Sequence, residues 1–193
     1  MRLENPEVHT FPVHQEGRYL LHLPESVEEG RVVVLTLHGY GSNPESMLRL
    51  TAGLLGNGHI IAALQAPNAH YQGAPGAAAV PGYNWGIRDH WHSAVRLHHD
   101  MVTQALASLG ERFGIPPGRR LLVGFSQAVG LNYRFLGTHP DQAGGVIGLC
   151  GGVPRDWEED KYGRIEAPIL HISRDQDEFY PQEVTAGIAE RLR

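Results

Sequence analysis

From Arg31 to Leu37 the chain is an unbroken, largely β-branched apolar run, the pattern of a strand covered on both faces. Shorter runs of the same kind recur at 59–64, 121–125, 146–149 and 169–172. Between them the apolar positions change to a spacing of three and four. Ser42-Asn43-Pro44-Glu45 opens the first helical segment, with a capping side chain and a proline in the first turn. Met47, Leu48, Leu50, Leu54 and Leu55 are expected on its inner side. A second helix is predicted over 93–113, with Val95, Val102, Leu106 and Leu109 as its stripe and Leu97, Met101 and Ala105 beside it. A third runs from Gln127 to about Gly137, and a last one covers 182–193. Residues 8–23 alternate loosely around Glu16-Gly17 and predict an antiparallel hairpin at a sheet edge.

Strand and helix alternate throughout. That order predicts an α/β fold, with a mostly parallel central sheet and helices on both faces. A length of 193 residues with 41% hydrophobic content fits one domain, 1–193. Ligands in such sheets bind where the strands end at their carboxyl termini.

Charge and composition narrow the partners. A formal net charge of −5 offers no footing for a polyanion, so nucleic acid is not expected. Cys150 stands alone, so no internal disulfide can form. No window approaches the roughly 20 apolar residues of a membrane span, and Met1–Thr10 lacks the apolar core of a secretory signal. A cytoplasmic protein acting on a small molecule is the expectation, and a homodimer stays open.

Two strand ends carry candidate chemistry. Leu121-Leu-Val-Gly-Phe-Ser126-Gln-Ala-Val-Gly130 is an apolar strand, a serine and a helix start. A sharp strand-to-helix turn exposes the serine hydroxyl and requires small residues two positions away on each side, here Gly124 and Ala128. The usual last position is glycine, so Ala128 is a departure. The competing reading is an ordinary serine N-cap. Acyl transfer also needs fixed N–H donors facing the developing oxyanion. The amide of Gln127 is one candidate. Leu37-His38-Gly39-Tyr40-Gly41, about 85 residues upstream of the serine, offers the N–H of Tyr40 as the other.

Leu37-His-Gly-Tyr-Gly41, Gln65-Ala-Pro-Asn68, Gly82-Tyr-Asn-Trp85 and Gly124-Phe-Ser-Gln127 together resemble the phospholipase/carboxylesterase family, which includes acyl-protein thioesterases. The resemblance runs from residue 31 onward. It implies an α/β-hydrolase fold, no metal or other cofactor, and hydrolysis of carboxylic esters or thioesters through an acyl-enzyme on Ser126. It also places residues 70–92 beside the site, with Trp85 and Tyr83 as an apolar wall; the competing reading is a structural aromatic that anchors the loop. His38 is grouped with that pocket, with a structural task in the oxyanion loop.

A serine needs a histidine as base and a carboxylate to orient it, in the order Ser, Asp, His. The acidic loop after the 169–172 strand holds Asp175 and Asp177. Asp177 has the family's four-residue spacing to a proline, Pro181, and Asp175 is the runner-up. None of the 16 residues after Asp177 is a histidine. The expectation is a C-terminal truncation that removes the last strand, its helix and the base. The alternatives are an impaired scaffold or binding protein and a dienelactone-hydrolase-like enzyme, for which a cysteine nucleophile is more usual. Asp89, His90, His92, His98, His99 and Asp100 match no zinc spacing and read as a solvated face. Cys150 reads as a small packing residue.

Overall fold

The computed structural model describes residues 7–25, 31–56, 58–73, 79–158 and 161–192. A six-stranded sheet forms its centre, in the order β1-β3-β2-β6-β7-β8. The strands are β1 (Tyr19–His22), β2 (Val33–Leu37), β3 (Ile60–Leu64), β6 (Arg120–Phe125), β7 (Gly145–Leu149) and β8 (Ile169–Ile172). Only β1 is antiparallel to its neighbour, β3. A separate hairpin joins β4 (Asn68–Gln72) to β5 (Val80–Asn84).

The unbroken apolar runs are explained by cover on both sides. Alternate residues of the central strands enter two different cores. Val33, Leu35 and Leu37 join Leu106, Leu109, Leu131 and Phe135, which come from α2 (Trp91–Phe113) and α3 (Gln127–Thr138). Val34, Ile61, Val123 and Ile147 face the other way, onto Met47 of α1 (Pro44–Leu55). A buried hydrogen bond of 2.7 Å between the Thr36 and Thr51 hydroxyls ties β2 to α1 within that second layer.

Several expectations need correction. Residues 8–18 form no strand, and only the second arm of the expected hairpin exists, as β1 on the edge of β3. Asn43 caps α1 and Pro44 begins it, as the sequence implies. Its buried face, however, runs through Pro44, Met47 and Thr51, with Leu48, Ala52 and Leu55 beside it. Leu50 and Leu54 are exposed at the margin of this face, because the buried arc turns from Met47 towards Leu48, Thr51, Ala52 and Leu55 and leaves them on its other side. The segment 70–92 carries most of the β4–β5 hairpin; residues 74–78 lie outside the described set. The last helix is two short pieces, α4 (Gln182–Thr185) and α5 (Ile188–Arg191), interrupted by Gly187 in a left-handed conformation at φ 73°.

The sheet order fixes where a site can form. From β2 the chain steps to β3 on one side, then returns to β6 on the other. The loops leaving β2 and β6 therefore diverge at adjacent strand ends, where a crevice opens.

Candidate active site

Leu37 and Gly124 are paired in the β2–β6 ladder, so the loops after them start side by side. Ser126 occupies the turn from β6 into α3 with φ 52° and ψ −112°. A residue with a Cβ meets steric strain there, of roughly 1–3 kcal/mol, which persists only where the surroundings impose it. Those surroundings are visible. The Ser126 N–H donates to the Leu149 carbonyl at the end of β7, 2.8 Å away. A Cβ on Gly124 would lie 2.8 Å from Asn132 Nδ2 and 3.1 Å from the Ala128 carbonyl carbon. A Cβ on Gly39 would lie 3.1 Å from that of Ser126. Ala128 is fully buried and is accommodated, so the departure from glycine there does not prevent the turn.

The 38–42 loop is held from three sides. His38 is buried; its Nδ1 lies 2.8 Å from the Gly39 carbonyl, and its Nε2 accepts the Ala66 N–H at 3.2 Å. Accepting at Nε2 makes Nδ1 the protonated nitrogen, a donor to Gly39. Burial lowers the pKa of this ring, which keeps it neutral. Gly41, at φ 74°, donates to Tyr83, and Tyr83 donates to Ser42, each at 2.9 Å. The Gln72 side chain donates to the Gly41 carbonyl. Among the described residues, the N–H groups of Tyr40 and Gln127 donate to no backbone carbonyl. The Tyr40 ring is exposed and lies against His70, with centroids 5.4 Å apart.

Two pocket assignments change. Trp85 has 0% of its surface exposed, so it cannot be a wall that a substrate touches. It is an anchor instead: its indole N–H donates to the His38 carbonyl at 2.8 Å, and its backbone N–H donates to Gln127 Oε1 at 3.0 Å. His38, with both nitrogens engaged, is likewise structural and has no atom left for a ligand. Tyr83 is half-buried beside the loop, its ring 6.2 Å from that of His38.

Asp177 is half-buried, and its Oδ1 accepts the N–H groups of Phe179 and Tyr180, both at 2.9 Å. Its charge acts on the Cys150 thiol, which burial first and Asp177 second push up, with Arg174 opposing. Asp175 is exposed. His171 is half-buried on edge strand β8, with Nδ1 2.7 Å from the Tyr133 hydroxyl. His139 ends α3, its Nδ1 2.8 Å from the Thr138 hydroxyl. His98 is fully buried against Trp85, contrary to the solvated face expected for it. No group of three or more His, Cys, Asp or Glu among the described residues is placed to hold a metal ion.

Sequence reasoning missed two participants. One is the Gln127 side chain, which accepts from Trp85 and donates to the Gly86 carbonyl at 2.7 Å. The other is Tyr180, whose ring lies on Gly152, beside the Gly151 that abuts the Ser126 turn. Nothing in the local sequence marks either, because both contacts join segments distant along the chain.

No family model matches the sequence, and no curated protein matches it. Solved structures do match. The esterase PE8 superposes with a TM-score of 0.69 at 23% identity, over 93% of this chain and 84% of that one. A carboxylesterase of Bacillus cereus matches at 0.64 and 13% identity, over 91% and 77%. The Zea mays acyl-protein thioesterase 2 matches at 0.58 and 14% identity, over 92% and 84%. The chain has the α/β-hydrolase fold. In that fold Ser126 lies on the turn from β6 into α3, and the 38–42 loop follows the adjacent strand β2.

Proposed function

We propose that this α/β-hydrolase cleaves carboxylic esters or thioesters through an acyl-enzyme on Ser126. The observation that carries the reading is the strained Ser126 backbone, φ 52°, with the Gly39 loop packed against it. A simple N-cap needs neither; it takes an extended conformation and bonds an amide of its own helix, and Ser126 makes no such side-chain bond.

Ser126 Oγ attacks the substrate carbonyl carbon, and its proton passes to a base. The tetrahedral oxyanion is received by the N–H groups of Gln127 and Tyr40, helped by the N-terminal dipole of α3. Collapse expels the alcohol or thiol and leaves the acyl-serine, which water then hydrolyses. Asp177 is the acid of the set, and Tyr83 and the exposed Tyr40 ring border the substrate. The structural neighbours named esterase, carboxylesterase and thioesterase favour this substrate class. The test is turnover of p-nitrophenyl esters and acyl thioesters of graded chain length, with trapping of an acyl adduct by mass spectrometry. A Ser126-dependent adduct supports the proposal, and turnover that survives Ser126→Ala overturns it.

One observation favours a second reading, an impaired scaffold. Among the described residues no histidine nitrogen hydrogen-bonds Ser126. Intact folding with no adduct and no turnover on any ester supports that alternative.

A further inference from the structure

The Gln127 side chain uses both ends of its amide. Oε1 accepts the Trp85 N–H at 3.0 Å, and Nε2 donates to the Gly86 carbonyl at 2.7 Å. The same Trp85, fully buried, donates its indole N–H to the His38 carbonyl at 2.8 Å. His38 in turn fixes the next peptide. Its Nδ1 donates to the Gly39 carbonyl at 2.8 Å, where the Ser42 N–H also arrives at 3.2 Å. That carbonyl and the Tyr40 N–H belong to one planar trans peptide and point in opposite directions. Holding the carbonyl therefore aims the N–H. Pairing of Leu37 with Gly124 closes the ring of contacts through the sheet.

We propose that the Gln127 side chain is a positioning residue for the oxyanion site: through Trp85 and His38 it sets where the Tyr40 N–H points relative to its own backbone N–H. This rests on the acyl-transfer reading, in which those two N–H groups receive the oxyanion. The β2–β6 ladder fixes only where the two loops begin. Beyond it, Gln127 carries one donor and grips the segment that holds the other. That task explains the residue type. An amide offers a donor and an acceptor at once, a glutamate lacks the donor, and an apolar side chain of the same length lacks both. A misaimed donor leaves binding of the planar ester intact but serves the tetrahedral oxyanion poorly, so the effect falls on the transition state.

The experiment measures steady-state turnover of a p-nitrophenyl ester by the full chain, and inhibition by a trifluoromethyl ketone, to which a serine hydroxyl adds to give a tetrahedral adduct. It compares wild type, Gln127→Met, Trp85→Phe, the double variant and Ser126→Ala. Gln127→Met keeps the side-chain length and loses both bonds. Trp85→Phe keeps a ring and loses the indole N–H that reaches His38. In each single variant kcat is expected to fall about 10- to 100-fold. KM should change by less than about threefold, and the ketone Ki should rise in step with the loss in kcat/KM. Ki does not depend on how much of the protein is folded, so a merely structural role would not move it. The double variant should lose little more than either single one, because both cut the same chain of bonds. Ser126-dependent turnover in wild type, with a Ki that stays within about twofold of it in both single variants, overturns the positioning role and leaves the hydrolase reading standing. Absence of Ser126-dependent turnover in wild type overturns both.

Discussion

A single torsion angle organises the site. Ser126 holds φ 52° because Gly124 and Gly39 leave room for the backbone and for Asn132 and Phe125 around it. Gly124→Ala should therefore lower stability by about 1–3 kcal/mol, the usual cost of overpacking, read as a shift in the urea unfolding midpoint. A glycine elsewhere, such as Gly53 in α1, has nothing near an added Cβ and should tolerate alanine sterically. The choice between two carboxylates also belongs at this scale. Asp177→Asn keeps an oxygen to accept the two turn amides but removes the charge, and it should reduce ester turnover by about tenfold or more. Asp175→Asn, at an exposed side chain, should change turnover less than about twofold. Steady-state kinetics on both variants checks the assignment.

Between elements, the decisive contact is the grip of α3 on the loop after β5. Gln127 accepts the Trp85 N–H and donates to the Gly86 carbonyl, while its own backbone N–H stays free of carbonyl partners among the described residues. Gln127→Ala removes the grip and leaves that backbone N–H in place. We expect a loss of about 1–3 kcal/mol from the two abandoned backbone groups, measured by chemical denaturation. This contact also marks the boundary of what sequence patterns reveal. Buried strands are legible because residues such as Val33–Leu37 meet apolar atoms on both faces, and the elbow is legible because its steric demands fall within five residues. The Trp85 anchor, the exposed Leu50 and Leu54, and the Tyr180 contact are not. Whether an aromatic lines a pocket or plugs the core depends on which distant segment arrives beside it, and local spacing carries no record of that. The same limit applies to His98, whose polar neighbours in sequence suggest solvent while α3 and the sheet enclose it.

Across the whole molecule, the buried histidines set the response to acid. Burial, then the neighbouring His99 and more weakly Arg134, lower His98 well below 6.5, opposed by the Asn132 side chain; burial with His139 and Arg134 brings His99 to about 4. His38 is lowered by burial as well. In the unfolded chain these rings take up protons as pH falls through about 6.5, while the folded protein does not. Stability should be fully present above that pH and decline progressively towards pH 4. Urea unfolding at about pH 7.5 and about pH 5 measures the difference, and His99→Phe, which keeps ring packing on Phe135, should reduce it. The sheet that buries these rings is the same one that sets the β2 and β6 loops facing each other, so acid should degrade the site by loosening its support.

The most direct test of the central claim is phosphonylation by a fluorophosphonate followed by peptide mapping of the modified residue. The account predicts one adduct per chain, on the peptide carrying Ser126, and none in a folded Ser126→Ala protein. An adduct on any other side chain, or one that persists in Ser126→Ala, contradicts it.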